Sequence, residues 1–291
     1  MNEIVVISGK GGTGKTSITA SFAMLGKEDV VVADCDVDAA NMHLLLKPNF
    51  AHTEPFYSGE VAQIDTDKCI NCGECKIICR FDAVRFTDGQ HHVDPLNCEG
   101  CGYCARICPA EAITNRTVHA GDWYISKIRS GSTMVHARLG IGADNSGKLV
   151  ARVRDEARKV AKSKGLNTII VDGSPGIGCP VISSLTGASY VVLVTEPTVS
   201  GLHDLKRVLE LVRKFGIEAG CIINKADINP ELTKAISLFL SEEQIKEIAS
   251  IPYDESFTGA MSQGKTIIEV NDAHSGELVN RSWDDIQQMI K

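Results

Sequence analysis

A glycine-rich run that ends in a lysine–threonine pair follows the first apolar segment of the chain and reads Gly9-Lys10-Gly11-Gly12-Thr13-Gly14-Lys15-Thr16. The preceding residues, Ile4-Val5-Val6-Ile7, are typical of a buried strand, and the residues that follow are typical of a helix. Glycines at this spacing let backbone N–H groups surround phosphate oxygens, while the helix N-terminus adds its dipole. The run therefore predicts an α/β fold that binds a nucleoside triphosphate.

Within this loop we expect Lys15 to reach the β- and γ-phosphates and Thr16 to place its hydroxyl on Mg²⁺. A downstream apolar strand ends in Asp172, which is suited to hold the magnesium through its water shell, and the loop 173–179 would respond to the γ-phosphate. A chance match of a glycine-rich turn is the alternative, but strand, helix and acidic partner together argue against it. The loop residues predicted to contact the nucleotide are Gly9, Gly11, Gly12, Thr13, Gly14, Lys15, Thr16 and Ser17.

Three carboxylates follow the second predicted strand, at Asp34, Asp36 and Asp38. We expect Asp36 or Asp38 to position the water that attacks the γ-phosphate. The alternative is that this segment caps a helix at residue 38, since aspartate favours the N-cap position.

Apolar runs rich in Val and Ile alternate with segments of helical periodicity along most of the chain. Nearly continuous apolar strands suit burial on both faces, and the alternation implies right-handed crossovers. We therefore predict a mostly parallel sheet flanked by helices. The predicted strands lie at about 3–8, 29–34, 167–172, 189–195, 219–223 and 248–252, with short strands at 123–125 and 133–135. The predicted helices lie at about 15–26, 38–46, 147–164, 201–215, 230–249 and 277–290.

Eight cysteines interrupt this alternation as Cys69-x2-Cys72-x2-Cys75-x3-Cys79 and Cys98-x2-Cys101-x2-Cys104-x3-Cys108-Pro109, an internal repeat with an offset of 29 residues. This is the spacing of bacterial two-cluster ferredoxins, in which the fourth cysteine of each run binds the other cluster. One [4Fe–4S] cluster is thus predicted on Cys69, Cys72, Cys75 and Cys108. The other is predicted on Cys98, Cys101, Cys104 and Cys79.

Structural zinc is the alternative for these cysteines, but zinc usually takes two separated Cys-x2-Cys pairs. The repeats are too small to bury much surface, and metal–thiolate bonding would supply the missing folding free energy. Arg80 stands where the second repeat has Pro109 and adds a positive charge. We predict an inserted ferredoxin-like α+β domain at 56–117 within an ATPase domain formed by 1–55 and 118–291.

Composition limits the compartment and the partners. Eleven cysteines on a chain that opens directly on a strand-like run indicate a reducing, cytoplasmic setting without a signal peptide. A net charge of −7 with no basic run argues against nucleic acid. No apolar run reaches the roughly 20 residues of a membrane span. The C-terminal apolar residues Trp283, Ile286, Met289 and Ile290 share a helix face whose polar side is acidic, which favours packing on the core over membrane binding.

Lys10, the segment Asp34-Cys35-Asp36 and the turn Asp172-Gly173-Ser174-Pro175-Gly176 resemble the MinD/ParA/Mrp class of ATPases, to which the nitrogenase iron protein belongs. The resemblance implies that Lys10 reaches across a homodimer to the partner's nucleotide. The stretches 224–227 and 251–254 resemble the base-recognition segments of that class. They imply adenine contacts from Asn224, Asp227 and Pro252, although Asn224 is also a common strand-end turn residue. The predicted catalytic residues are Lys10, Lys15, Asp36, Asp38 and Asp172.

The whole chain resembles MinD-like ATPases that carry an inserted two-cluster ferredoxin. The resemblance implies a homodimer, or a dimer with a paralogue. It also implies a partner that is a redox protein or a cluster acceptor, such as a small protein of the nitrogenase-cofactor-biosynthesis type. Two functions remain open: an ATP-driven switch coupled to electron transfer, and ATP-dependent assembly of an iron–sulfur or metal cofactor. A positioning ATPase with redox-sensing clusters is a third, which the acidic charge and the missing basic tail disfavour.

Three cysteines lie outside the repeat. Cys179 occupies the offset at which the nitrogenase iron protein carries a cluster-ligating cysteine, which implies a ligand or a transfer site. The alternative for Cys179 is a small buried residue at a helix start. Cys35 and Cys221 lie in strand contexts, and we predict that both belong to the core.

Overall fold

The computed structural model describes residues 1–143, 146–270 and 274–290, and it divides into two compact units. The first unit comprises Met1–Glu54, Trp123–Arg138 and Ser146–Lys291. The second unit comprises Pro55–Asp122 and Leu139–Asn145.

The strands are β1 (Asn2–Ile7), β2 (Val30–Asp34), β3 (His52–Ile64), β4 (Val84–Thr87), β5 (Gln90–Val93), β6 (Ile113–Lys127), β7 (Thr133–Leu139), β8 (Thr168–Asp172), β9 (Tyr190–Thr195), β10 (Glu218–Asn224) and β11 (Lys246–Ile251). The helices are α1 (Lys15–Gly26), α2 (Met42–Leu46), α3 (Glu74–Ile78), α4 (Tyr103–Ile107), α5 (Ser146–Lys164), α6 (Cys179–Leu185), α7 (Val199–Lys214), α8 (Pro230–Glu242), α9 (Ser256–Ser262) and α10 (His274–Met289).

The large sheet has the strand order β11-β10-β9-β1-β8-β2-β7-β6-β3, and its strands from β11 to β2 lie wholly within the first unit. The pairs from β11 to β7 are parallel, which confirms the predicted α/β fold. Every residue of β2 and β9 is buried, as expected for strands covered on both faces. Because parallel strands end at the same edge, the registers of β1, β2 and β8 set Asp172 opposite Val6 and Asp34.

Helices α1 and α10 share a core with one face of this sheet. Phe22 and Trp283 lie with ring centroids 5.4 Å apart, above the fully buried Ile4 and Ile170. Each such side chain contributes roughly 1.5–3 kcal/mol by leaving water. The prediction that the C-terminal helix packs on the core is confirmed, since Val279 and Ile286 are fully buried.

The second unit repeats one small motif. Helices α3 and α4 each begin after a left-handed glycine, Gly73 (φ +79°) and Gly102 (φ +71°), and the antiparallel pair β4–β5 follows α3. Its core of buried residues is Ala62, Cys75, Val84 and Ile113, with other cysteines packed against it. So small an apolar core makes this unit dependent on some further source of cohesion.

Several predicted elements have different bounds in the structure. The helix predicted over 38–46 was wrong in its start, because a turn in which the Ala39 N–H donates to the Asp36 carbonyl precedes α2. The helix predicted over 230–249 ends at Glu242, before Gln244 at φ +56° and strand β11. Helix α9 and strand β3 were not predicted, and only 123–125 of β6 was predicted as a strand.

No helix in the described ranges combines the length and the apolar character that crossing a bilayer requires.

Candidate functional site

A cavity of about 690 Å³ opens at the edge of the sheet where β1, β2 and β10 end. Its walls come from the glycine-rich loop, the turn after β2, and the segments that follow β10 and β11. The lining residues are Ser8, Gly11, Gly12, Thr13, Gly14, Lys15, Thr16, Ser17, Asp36, Ala39, Asn41, Leu44, Leu45, Pro175, Asn224, Lys225, Pro252, Tyr253, Asp254, Phe257, Thr258 and Met261.

The loop needs glycine for both conformation and space. Gly12 and Gly14 have φ of +82° and +91°, and a Cβ at Gly14 would lie 2.3 Å from the Asn224 Nδ2 atom. That amide nitrogen donates to the Thr13 carbonyl at 2.8 Å, so the loop is tied to the end of β10. Helix α1 begins at Lys15, which points its first N–H groups toward the cavity.

Lys15 lies between two carboxylates at the base of the cavity. Its Nζ is 2.9 Å from Asp172 Oδ1 and 3.3 Å from Asp36 Oδ2. Burial lowers the pKa of Lys15, but the charges of Asp172 and then Asp36 outweigh it and leave the pKa raised. Lys15 is therefore a positive charge held ready for a phosphate.

Asp172 is fully buried and is shared by three donors. Besides Lys15, it accepts hydrogen bonds from Thr16 Oγ1 at 2.8 Å and from Thr19 Oγ1 at 2.9 Å. Thr19 was not predicted, although its place four residues after Lys15 on the same helix face was the available signal. Just beyond, Ser174 Oγ donates to the Cys35 carbonyl at 2.8 Å, which anchors the turn after β8.

The three carboxylates after β2 occupy different environments. Burial, and then the charge of Asp172, raises the pKa of Asp34 well above its ordinary value, and the buried Asp34 Oδ2 has no hydrogen-bond partner in the described chain. Burial likewise raises the pKa of Asp36, which lines the cavity. Asp38 is exposed and lies outside the cavity lining. Because α2 begins at Met42, the capping alternative for Asp38 was wrong.

The residues of the cavity fit a nucleotide with a magnesium ion. The buried Thr13 Oγ1 has no hydrogen-bond partner among the described residues and lines the cavity. Thr16 and Asp36 of the lining are hard oxygen donors of the kind that magnesium prefers, and Thr16 donates to the buried Asp172. The unpartnered hydroxyl and this oxygen set are complementary to a polyphosphate with its cation.

Lys10 does not line the cavity. Its Nζ pairs with Glu196 at 2.7 Å and donates to Thr198 Oγ1 at 3.0 Å and Ser200 Oγ at 2.9 Å. Lys225 joins the same carboxylate at 2.8 Å and also donates to the Gly12 carbonyl at 3.0 Å. Burial opposes ionisation of Glu196, but hydrogen bonds from Lys10 and Lys225 leave its pKa lowered. Glu196 was not predicted as part of this network.

The other predicted nucleotide residues are divided between the cavity and its surroundings. Asn224 and Pro252 line the cavity. Asp227 is exposed and accepts a hydrogen bond from the Tyr253 N–H at 2.5 Å, so it braces the wall without lining it. Gly9 also lies outside the lining, and a Cβ there would meet Asp204 Cβ at 2.5 Å.

The second unit holds two cysteine-lined cavities. One, of about 440 Å³, is lined by Cys79, Cys98, Cys101 and Cys104, and is called the open site below. The other, of about 20 Å³, is lined by Cys69, Cys72, Cys75 and Cys108, and is called the closed site. Each site thus brings together three cysteines of one repeat and the last cysteine of the other.

As the side chains stand, no group of three or more His, Cys, Asp or Glu residues in the described ranges could hold a metal ion. A four-iron cluster takes one thiolate on each of four iron atoms, so its ligands surround a volume and do not converge on one ion. Four thiols around each cavity therefore have the donor chemistry of a [4Fe–4S] cluster, and the two sets fit that group.

The cysteines outside the repeat differ in exposure. Cys35 and Cys221 are fully buried, which confirms their predicted place in the core, and burial raises the pKa of both thiols. Cys179 begins α6 and is exposed, so the alternative of a small buried residue was wrong. Gly147 lies against it, since a Cβ there would be 3.2 Å from Cys179 Cβ.

Comparisons with known proteins agree with this geometry. The family model described as "CobQ/CobB/MinD/ParA nucleotide binding domain" matches residues 4–267. An uncharacterized protein of Methanocaldococcus jannaschii is 35% identical over 229 residues, 78% of this chain and 79% of that protein. A second uncharacterized protein of the same organism is 28% identical over 281 residues, 94% of each chain. The solved septum site-determining protein MinD complexed with Mg-ADP from Pyrococcus horikoshii OT3 superposes with a TM-score of 0.58 at 18% identity, over 99% of this chain and 96% of that one.

Proposed function

The chain belongs to the CobQ/CobB/MinD/ParA family of nucleotide-binding proteins, and on that premise we propose that it couples an ATP-driven switch to electron transfer to a partner protein. The observation that carries the proposal is the pairing of the eight cysteines into two four-thiol cavities on a chain that also forms a phosphate-binding cavity. The proposed domains are the ATPase at 1–55 and 118–291 and the ferredoxin-like insert at 56–117.

The chain is an ATPase, and its own residues divide the work of hydrolysis. The N–H groups of the loop and of the start of α1 bind the phosphates, and Lys15 neutralises the β- and γ-phosphate oxygens. Asp36, which faces the cavity 3.3 Å from Lys15, orients the attacking water. Asp172 holds Lys15 and Thr16 in place. Magnesium, held by Thr16 with the nearby carboxylates, would supply charge neutralisation of the transferred phosphate.

The switch is assigned to the turn after β8 and to the network around Lys10. The Ser174 hydroxyl donates to the carbonyl of Cys35, the residue directly before Asp36, so a change at the γ-phosphate would reach the turn through this hydrogen bond. We propose that Lys10 leaves Glu196 to reach a nucleotide in a homodimer or in a dimer with a paralogue. Such two-state segments are the usual means by which triphosphate binding is read.

In the second unit the open site would hold one [4Fe–4S] cluster and the closed site the other. Such clusters supply one-electron storage at potentials set by their surroundings. The protein's own contribution is to orient the thiols, and the Ala83 and Ala112 N–H groups donate to Cys79 Sγ at 3.4 Å and to Cys108 Sγ at 3.3 Å. Donors and acceptors of these two bonds are each 29 residues apart, as the repeat requires, which supports a pair of similar sites.

The test is anaerobic EPR of the dithionite-reduced full-length protein, with and without MgATP. We expect two [4Fe–4S]⁺ signals that MgATP perturbs, and no nucleotide effect in a Lys15→Ala variant. A Lys214→Ala variant, which removes an exposed lysine of α7, serves as the matched control. Two signals that ignore MgATP in the wild-type protein would contradict the coupling, and absence of both signals would contradict the clusters.

A second function, ATP-dependent assembly or delivery of an iron–sulfur or metal cofactor, is favoured by the exposed thiol of Cys179 at the start of α6. The turn that precedes this helix follows Asp172 directly, so a transferred species there would sense the nucleotide state. Anaerobic transfer of cluster to an apo-ferredoxin, with and without MgATP, tests it. A transfer rate that falls in Cys179→Ala but not in a Cys221→Ala control would support this function. Absence of transfer from the wild-type protein, with and without MgATP, would exclude it.

A further inference from the structure

The two cysteine sites are related by the 29-residue repeat, which pairs every lining residue of the closed site with a lining residue of the open site. Val84 of the open site corresponds to Ile113 of the closed site, and Val93 corresponds to Ile64. Positions that differ between such paired sites are the ones that can make the two sites unequal. This inference rests on the proposed function, since it concerns the clusters that the sites would hold.

The fixed charges of the two linings differ. The open site is lined by Arg80 and Glu99, so its formal charge is zero. The closed site is lined by Glu74, and its counterpart of Arg80 is Pro109. His91 also lines the closed site, where its Nδ1 lies 3.3 Å from Asn71 Oδ1 and not against a cysteine. The open site therefore has one more unit of positive charge around its thiols.

Hydrogen bonds to sulfur differ in the same direction. Each site has the equivalent bond from Ala83 or Ala112 to the last cysteine of a repeat. Backbone hydrogen bonds from Lys76 to Cys75 and from Ala105 to Cys104 are likewise matched between the sites. The open site adds one more, from the Ala62 N–H to Cys98 Sγ at 3.5 Å. At the closed site the corresponding bond would run from the His91 N–H to Cys69 Sγ, and it is not formed within residues 1–143. Hydrogen bonds to cluster sulfurs are one of the factors that set the potential.

The reduced form of a thiolate-bound cluster carries one more negative charge than the oxidised form. A nearby cation and an N–H donor both stabilise that added charge. The two observations therefore act together at the open site.

We propose that the open site holds the cluster of higher potential and that Arg80 is the residue that sets the difference between the two sites. Arg80 follows the ligand Cys79 directly, and its guanidinium remains charged at every working pH. Electrons shared between the clusters rest at the open site. Because Arg80 is exposed and its field is partly screened, the effect amounts to a threefold to tenfold change in the reduction equilibrium of one cluster.

The test is an EPR-monitored potentiometric titration of the anaerobically reconstituted full-length protein. In Arg80→Gln we expect the higher of the two midpoint potentials to fall by up to about 59 mV, the one-electron equivalent of tenfold. Arg80→Lys should keep most of the wild-type value, and Glu99→Gln should raise the same midpoint. The matched control is Arg106→Gln, which removes an exposed arginine of α4 that lines neither site.

The signal of the open site is identified as the one that changes in Cys101→Ser. The inference is overturned if Arg80→Gln moves neither midpoint, if it moves the lower one, or if Arg106→Gln moves the same midpoint equally. Iron content separates these outcomes from failure of the proposed function. A wild-type chain that takes up no iron and gives no signal overturns the clusters themselves, whereas a loaded chain with unchanged potentials overturns only the role of Arg80.

Discussion

The two units of this chain rely on different sources of stability. In the first unit a parallel sheet buries whole strands, and residues such as Val32, Ile170 and Val192 are fully enclosed. In the second unit the buried core is Ala62, Cys75, Val84 and Ile113, and most other neighbours of that core are cysteines. Apolar burial can account for the first unit, whereas the second has far less of it, and the proposed clusters would add metal–thiolate bonds there.

Removing iron should give the largest difference between the units. We expect a chelator to abolish hydrogen-exchange protection in α3, α4, β4 and β5, because the thiols would then lose the bonds to the proposed clusters. Protection in β1 and β8 should persist. Hydrogen exchange read by mass spectrometry before and after chelation measures both at once. Full protection of the second unit in the iron-free chain would show that its small core suffices.

The next largest effect concerns the buried charges of the first unit. Lys15→Ala should lower the rate of ATP hydrolysis by on the order of 10³-fold, since it removes the cation that faces the developing phosphate charge. It also leaves the buried Asp172 without its cation, with only the Thr16 and Thr19 hydroxyls donating to it, which should reduce the free energy of unfolding by about 3–5 kcal/mol. Steady-state phosphate release and urea unfolding of the nucleotide-free protein provide the two measurements. Lys214→Ala should change neither, and an active Lys15→Ala enzyme would contradict the assignment.

A matched pair of core substitutions compares the units directly. Ile170→Ala, in the middle of the sheet, should cost about 3–5 kcal/mol, because close-packed surroundings cannot collapse into the cavity. Ile113→Ala, at the edge of the four-residue core, should cost less, about 1–2 kcal/mol, in the iron-loaded protein. Urea titration with local hydrogen-exchange readout gives each value for its own unit. Equal costs at the two positions would mean that the second unit has a core as rigid as the sheet.

The same contrast explains what could be predicted from sequence. Helix α1 lies at its predicted bounds, 15–26, and β8 begins within one residue of its predicted start, because a strand buried on both faces leaves a continuous apolar run. Strand β3, of 13 residues, was not predicted, and of the 15-residue β6 only 123–125 was, since every side chain in 52–60 and 114–119 is exposed or half-buried and these ranges show no apolar run. Their pairing is long-range and leaves little local pattern.

The candidate site shows a similar limit. Motif spacing placed Lys15, Asp36 and Asp172 in one cavity region because parallel strands end at one edge of the sheet. Thr19 and Glu196 were not predicted, because a threonine inside a helix and a glutamate after a strand are common and no motif distinguishes these two as parts of a site. Exposure of Cys179 was missed for the same reason, because a cysteine at a helix start has no local signal that separates surface from core.

The smallest predicted effect compares an ion pair in each unit. In the first unit Arg129 pairs with both carboxylate oxygens of Glu269, and each side chain is about a quarter exposed, at 23% and 24%. In the second unit Arg85 pairs with Asp94 at 2.8 Å, but the Arg85 side chain is 61% exposed. We expect Arg129→Gln to reduce the free energy of unfolding by about 1–3 kcal/mol at pH 7, and Arg85→Gln by less than about 1 kcal/mol.

The pH dependence of the cost of Arg129→Gln shows whether Arg129 stabilises the first unit through its charge or through packing. Burial would raise the pKa of Glu269, but the hydrogen bonds from Arg129 and Thr266 lower it to about 2, against 4.5 in the unfolded chain. A carboxyl with a depressed folded pKa stabilises the protein fully above its unfolded value and loses that contribution as the pH falls through its folded value. The cost of Arg129→Gln should therefore be constant from pH 7 to about pH 5 and shrink toward pH 2. Urea unfolding of both variants across this range measures it, and a cost that persists undiminished at pH 3 and below would mean that the Arg129 side chain acts through packing and that its charge contributes little.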